Sequence, residues 1–135
     1  VASGDGPMTL FSFSIQGLPK MTNPSGAKST HWRVRKAESD KWKKWVCAAI
    51  NAGRKFKEWP LEKANLTLIR HSSSRPDPDG LVSGFKAVID GLVVAGVLKN
   101  DKFKNIGMPN YMWQPAAPKK GFITVLVSWD DSCIK

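Results

Sequence analysis

Asp77 and Asp79 stand two residues apart in the run Arg75-Pro76-Asp77-Pro78-Asp79-Gly80, within a chain that is otherwise strongly basic. A residue that precedes proline is pushed out of the helical region, so Pro78 is expected to keep Asp77 extended. Extended residues i and i+2 point to one side, which brings the two carboxylates together. Their mutual repulsion is relieved by a divalent cation. Oxygen ligands of this kind suit Mg²⁺ or Mn²⁺. Such an ion polarises a phosphodiester and activates water.

Asp79 is also expected to open a helix that runs through Leu81–Ala95. At about 100° per residue, Asp79, Lys86 and Asp90 fall within roughly 40° of one another. They lie opposite an apolar stripe of Leu81, Phe85, Val88 and Leu92. A lysine placed there can neutralise charge developing on a phosphate or leaving group. Asp101 follows after the turn Gly96-Val97-Leu98-Lys99-Asn100. If the chain folds back at that turn, Asp101 brings a third carboxylate to the start of the helix. Plainer readings stand beside this one: a solvated Asp-x-Asp turn, Asp79 as a simple N-cap, and Lys86 with Asp90 as a surface i,i+4 pair.

The elements that must position these residues are legible in outline. Thr9–Gln16 alternates apolar and polar residues and reads as a half-buried strand. Gly17–Thr30 is a long loop rich in Gly, Pro, Asn, Ser and Lys, of a length that is usually functional or disordered. From Trp32 to Ala52 the pattern is helical: Trp42, Trp45, Val46, Ala49 and Ile50 share a face expected in the core. Arg33, Lys36, Lys43 and Lys44 share the other. Ala64–His71, Asn110–Trp113 and Phe122–Trp129 read as further strands. Strands and helices mix without a regular βαβ rhythm. The expected fold is therefore α+β, a small mixed sheet with two main helices packed on it.

Length and composition narrow the function. At 135 residues and 41% hydrophobic, the chain suits one domain with one core, over residues 8–135. Val1–Pro7 is small and polar and is expected to lie outside that domain, as an artificial extension or a disordered leader before Met8. No apolar run reaches the roughly 20 residues of a membrane helix, and no signal-peptide pattern is present. Cys47 and Cys133 read as reduced thiols, which fits a cytoplasmic protein. The net charge is +10, and it is uneven: residues 1–76 carry 14 Lys/Arg against 5 Asp/Glu, and residues 77–135 carry 7 against 6. Such a basic region is the usual footprint of a polyanion binder. Lys20, Lys28, Arg33, Lys36, Lys43, Lys44 and Arg75 are the expected DNA contacts.

The run Arg75–Leu81, the run Gly84–Leu92, then Gly96 and Asp101, resemble the RusA family of Holliday junction resolvases. Leu18-Pro19, Asn23-Pro24-Ser25-Gly26 and His31-Trp32 resemble its phage-type members, and the likeness spans roughly residues 10–127. The resemblance implies a homodimeric, Mg²⁺-dependent α+β endonuclease that makes paired nicks in four-way DNA junctions, acting in the cytoplasm of a bacterial host. It implies essential acids at Asp77, Asp79 and Asp101, a functional lysine at Lys86 and an accessory acid at Asp90. Two positions depart from the pattern: Gly80 stands where Asn is usual, and Asn100-Asp101 where an acidic pair is common. The interval from Asp79 to Asp90 is three residues longer than in short members, and an ungapped reading puts Ser83 in the place of the lysine. Rival readings are a DNA-binding module without catalysis, a nuclease for flaps, other branched DNA or RNA, and a phage interaction protein whose charge is incidental.

Overall fold

The computed structural model describes residues 8–20, 32–53 and 55–130. Val1–Pro7, Lys28, His31 and Cys133 lie outside the described residues, as does most of the expected basic loop. The fold is α+β. Four strands form one mixed sheet: β1 (Met8–Gln16), β2 (Asn65–Ser72), β3 (Asn110–Pro115) and β4 (Phe122–Asp130), in the order β1-β4-β2-β3. β4 pairs antiparallel with both β1 and β2, and β2 pairs parallel with β3. β4 is thus an inner strand with both edges used. That leaves no edge of Phe122–Trp129 for pairing with another chain.

Period-two alternation decides which residues face the helices. Leu66 and Leu68 of β2 and Ile123, Val125, Val127 and Trp129 of β4 are buried on one face. The helix α1 (Trp32–Ala52) supplies Trp42, Val46 and Ile50 to the same core and stops at Gly53. Of the two tryptophans expected in the core, one is there. Trp42 is buried, whereas Trp45 is 38% exposed, edge-on to Trp42 with the Lys41 ammonium 5.0 Å above its ring. Trp45 sits at the border of the buried stripe, where a large ring is only partly covered.

Parallel neighbours need a long crossover, and here the β2–β3 connection carries every acidic residue singled out above. It contains α2 (Pro78–Gly84), α3 (Lys86–Val94) and the one-turn α4 (Phe103–Ile106). The single helix expected over Leu81–Ala95 is therefore two helices. The break falls at Phe85, with φ −96° and ψ 0°, which ends α2 and caps α3. The bend lets α2 lie against β3 while α3 lies against α1. A straight helix cannot serve both neighbours, and burying Phe85 at the joint offsets the broken helix. α3 comes so close to α1 that a Cβ added at Gly91 would stand 2.9 Å from the Cβ of Val46.

Candidate functional site

Asp77 is the N-cap residue of α2, extended at φ −67° and ψ 153° as Pro78 requires. Its carboxylate makes no capping hydrogen bond, although its carbonyl accepts from Leu81 N–H. Asp79 already belongs to the first turn of α2. The two-residue alternation of a strand stops at Pro78, so the expected same-side geometry of Asp77 and Asp79 does not apply. Asp77, not Asp79, holds the cap position. Both side chains are exposed.

The chain does fold back after α3, and the means are visible. Gly96 turns with φ 85°, and the N–H groups of Val97 and Leu98 both donate to Leu92 O. Val97 and Leu98 then enter the core, where Leu61 N–H donates to Val97 O and Lys99 N–H to Leu61 O. This fixed turn returns Asp101 to the start of α3. There Lys86 Nζ lies 3.2 Å from Asp90 Oδ1 and 3.5 Å from Asp101 Oδ2. Asp101 is oriented locally as well, because its N–H donates to Asn100 Oδ1 at 2.8 Å. Partial burial works against the charge on Lys86, but Asp90 and then Asp101 outweigh it and hold the ammonium above the ordinary lysine range. Tyr111 of β3 stands within the field of Lys86. Burial pushes its phenol up, and the lysine's charge pulls it partly back.

Lys86, Asp90 and Asp101 are thus brought together. Among the described residues no three His, Cys, Asp or Glu side chains gather closely enough to hold a metal ion, so Asp77 and Asp79 do not complete a cluster with Asp101. The donor chemistry of the three carboxylates fits Mg²⁺ or Mn²⁺; their arrangement, with Asp101 engaged by Lys86, does not yet form the site.

The expected DNA contacts lie in three places. On α1, Arg33, Lys36 and Lys44 are exposed, whereas Lys43, about 60° round the helix from Val46, is half-buried at the border of the core stripe. Lys36 is paired with Asp40 at 2.9 Å. Lys20 is exposed where the segment 17–20 leaves β1, and its N–H donates to Glu38 Oε2 at 3.2 Å. Arg75 lies 6.0 Å above the Trp113 ring, and Trp113 Nε1 donates to Ser72 Oγ, which donates on to Ser74 O. That chain of contacts from β3 holds the loop which presents Asp77.

Two further residues of this region matter to the site, and the sequence reading does not single them out. Arg70 is buried on the core face of β2, where Nη1 donates to Pro19 O at 2.8 Å and desolvation lowers its pKa. It ties the segment before the basic loop to the sheet. An arginine on the apolar phase of an alternating strand is a usable signal for such a tie. Trp113 gives none, because its role depends on which strand lies beside β2. No helix among the described residues is long and apolar enough to cross a membrane. No protein-family model matches the chain, and no curated protein matches it.

Proposed function

We propose that this chain is a metal-dependent endodeoxyribonuclease of the RusA type that resolves four-way DNA junctions, working as a homodimer in the cytoplasm of a bacterial host. The observation that carries the reading is the Lys86–Asp90–Asp101 network on a crossover that also presents Asp77 and Asp79, in a chain of net charge +10. In this reading Asp77, Asp79 and Asp101 would hold Mg²⁺ or Mn²⁺. Such an ion supplies charge neutralisation at the scissile phosphate and an activated water. Lys86 remains an ammonium throughout the neutral range and presents positive charge to a phosphate oxygen. Asp90 keeps that ammonium placed from one turn further along α3. The basic face of α1, Lys20 and Arg75 supply phosphate contacts that position the duplex arms without reading sequence.

The sheet face turned away from the helices supports the dimer. Its register rows bring together Leu10, Thr67, Ile69, Met112, Leu126 and their neighbours. The alternation puts no Glu, Lys or Arg of the four strands on that face, and it puts Asp130 only at the rim, in the last register row of β1 and β4. Two copies that each carry +10 meet most cheaply on a face without positive charge. A stable interface of this kind buries on the order of 1,000 Å² or more.

A DNA-binding module without catalysis is favoured by one observation, the engagement of Asp101 by Lys86 rather than by further carboxylates. Incubating the purified chain with four-way junction, duplex and single-stranded DNA, with and without Mg²⁺, separates the two. The nuclease reading expects paired nicks in the junction that require the ion. Salt-sensitive binding with no cleavage in any metal would establish the module instead. Light scattering on the same sample tests the dimer, which a chain monomeric both free and on the junction would refute.

A further inference from the structure

The four residues that follow β1 are each held by a different neighbour. Gly17 turns with φ 109°, and its N–H donates to Gly121 O at 3.0 Å. Leu18 packs on Gly121 so closely that a Cβ added there would stand 2.5 Å from Leu18 Cδ1. Pro19 is buried, and its carbonyl accepts from Arg70 Nη1 of β2 at 2.8 Å. Lys20 N–H donates to Glu38 Oε2 of α1 at 3.2 Å, while the Lys20 side chain is exposed. Surface connections are usually the mobile parts of a fold. This one is restrained at every residue and ends on an exposed cation.

Glu38 is the odd member of the arrangement. Its side chain is only 16% exposed, and both of its oxygens are engaged. Oε1 meets Lys41 Nζ at 3.0 Å, and Oε2 accepts from Trp42 Nε1 at 3.0 Å as well as from Lys20 N–H. Partial burial works against the charge, but Lys41, Lys20 and Trp42 outweigh it and hold the carboxyl below its ordinary range. A fixed anion on a helix expected to meet phosphates repels them. Charge alone therefore gives no reason for a carboxylate here. Its tie to the backbone of Lys20 does.

We propose that Glu38 is a positioning residue for polyanion binding: it fixes the backbone at Lys20, with Arg70 holding Pro19, so that the Lys20 ammonium meets a phosphate already placed. Ordering a long side chain and its loop on binding weakens an interface, and a contact arranged beforehand avoids that cost. The proposal rests on the DNA-binding part of the reading above and not on cleavage. It carries a sign that electrostatics alone does not: removing this negative charge weakens the binding of a negative ligand.

The test is the affinity of the full chain for labelled four-way junction and duplex DNA, read by fluorescence anisotropy at modest salt. Glu38→Ala, Glu38→Gln and Asp40→Asn each remove one negative charge from α1, so simple electrostatics expects all three to bind more tightly. Positioning expects Asp40→Asn to tighten binding and Glu38→Ala to weaken it about two- to tenfold. Glu38→Gln should fall between them, because its amide oxygen still accepts from Lys20 N–H. Lys20→Ala should weaken the wild type but change little in the Glu38→Ala background, a coupling that a merely structural role for Glu38 does not produce. Should Glu38→Ala fail to fold, Glu38→Gln carries the comparison, binding less tightly than Asp40→Asn. Glu38 variants that bind as tightly as Asp40→Asn, or a Lys20→Ala cost equal in both backgrounds, overturn the proposal. Wild type that binds no DNA removes it together with the DNA reading. A junction-cleavage assay with Mg²⁺ separates it from the nuclease: the expected affinities without cleavage keep Glu38 and sink the nuclease, and cleavage by wild type with a tighter-binding Glu38→Ala does the reverse.

Discussion

The face of α1 and the β2–β3 crossover both display charge, yet they hold it in different ways. On α1 the pairs Lys36–Asp40 and Lys41–Glu38 are three or four residues apart, made within one helix and exposed to solvent on at least one side. Pairs of that kind contribute a few tenths of a kcal/mol, roughly 0.3–0.5, and exchange readily for phosphate. On the crossover Lys86 joins a local partner, Asp90, to a remote one, Asp101, and the remote contact exists only because the Gly96 turn and the buried Val97 and Leu98 bring it there. Local pairing suits a surface that must meet a long polyanion in many registers. A contact dependent on the tertiary fold suits chemistry at one place.

The largest effect should appear on the crossover. Asp77→Asn and Asp101→Asn should each lower junction cleavage at least about a hundredfold, since even groups one step removed from a metal cost about 10–100-fold. Junction binding should hold or tighten, because each change removes negative charge. Asp40→Asn on α1 should leave the cleavage rate alone. Equal falls in rate from Asp40→Asn and Asp101→Asn would erase the distinction between the two regions.

The second effect is where the two regions touch. Gly91→Ala forces a methyl against Val46 and should destabilise the chain by about 1–3 kcal/mol. Denaturant midpoints report it. Pairing it with Val46→Ala should cost less than the two single changes added together, because loss of the two γ-methyls, each 3.2 Å from the added carbon, relieves part of the crowding although the Val46 Cβ remains.

On the α1 face a Lys36/Lys43/Lys44 triple alanine variant should reduce the slope of log K against log salt by about 0.9 for each phosphate that the helix no longer neutralises. Lys36 should count for least, because Asp40 already neutralises it. An unchanged slope would move the DNA-binding role to Lys20, Arg75 and the loop beyond Lys20.

The smallest effect separates the two regions from the rest of the molecule by pH. Lys86 has a raised pKa, so its contribution to stability is complete below the ordinary lysine value, about 10.4, and disappears only as pH rises through the still higher folded value. His71 behaves oppositely. Burial lowers its pKa, its ring stacks on Phe122 at 3.9 Å and its Nε2 shares a 3.0 Å hydrogen bond with Thr124 Oγ1. The unfolded chain then binds the proton more readily, so stability should fall as pH drops below about 6.5. Unfolding of wild type and His71→Gln at pH 7 and pH 5 checks this. A slope that survives the substitution would belong to other groups.

Much of the scaffold is legible because it is written in short-range patterns. β1, α1, β2 and β4 fall within a residue or two of where periodicity puts them, and Asp77 is extended because Pro78 leaves it little choice. Gly96 signals the return of Asp101 but not its destination, an ion pair with Lys86 at the start of α3. The break at Phe85 leaves no local mark, because an apolar stripe looks the same in one helix as in two. Trp45 departs from its expected core position because helical angle alone does not say how wide the neighbouring surface is.

By itself, then, the sequence determined the α+β class, the positions of most elements, the strong positive charge and the identity of the acid and lysine residues on the crossover. Each of these follows from steric and hydrophobic preferences that act over a few residues. The tertiary structure alone decided that β4 is an inner strand, that the helix divides so α2 meets β3 and α3 meets α1, that Lys86 bridges Asp90 and Asp101, and that Arg70 and Glu38 hold Pro19 and Lys20. Those arrangements join residues far apart in the chain. They are set by which surfaces bury one another, a property of the packed whole that no local window contains.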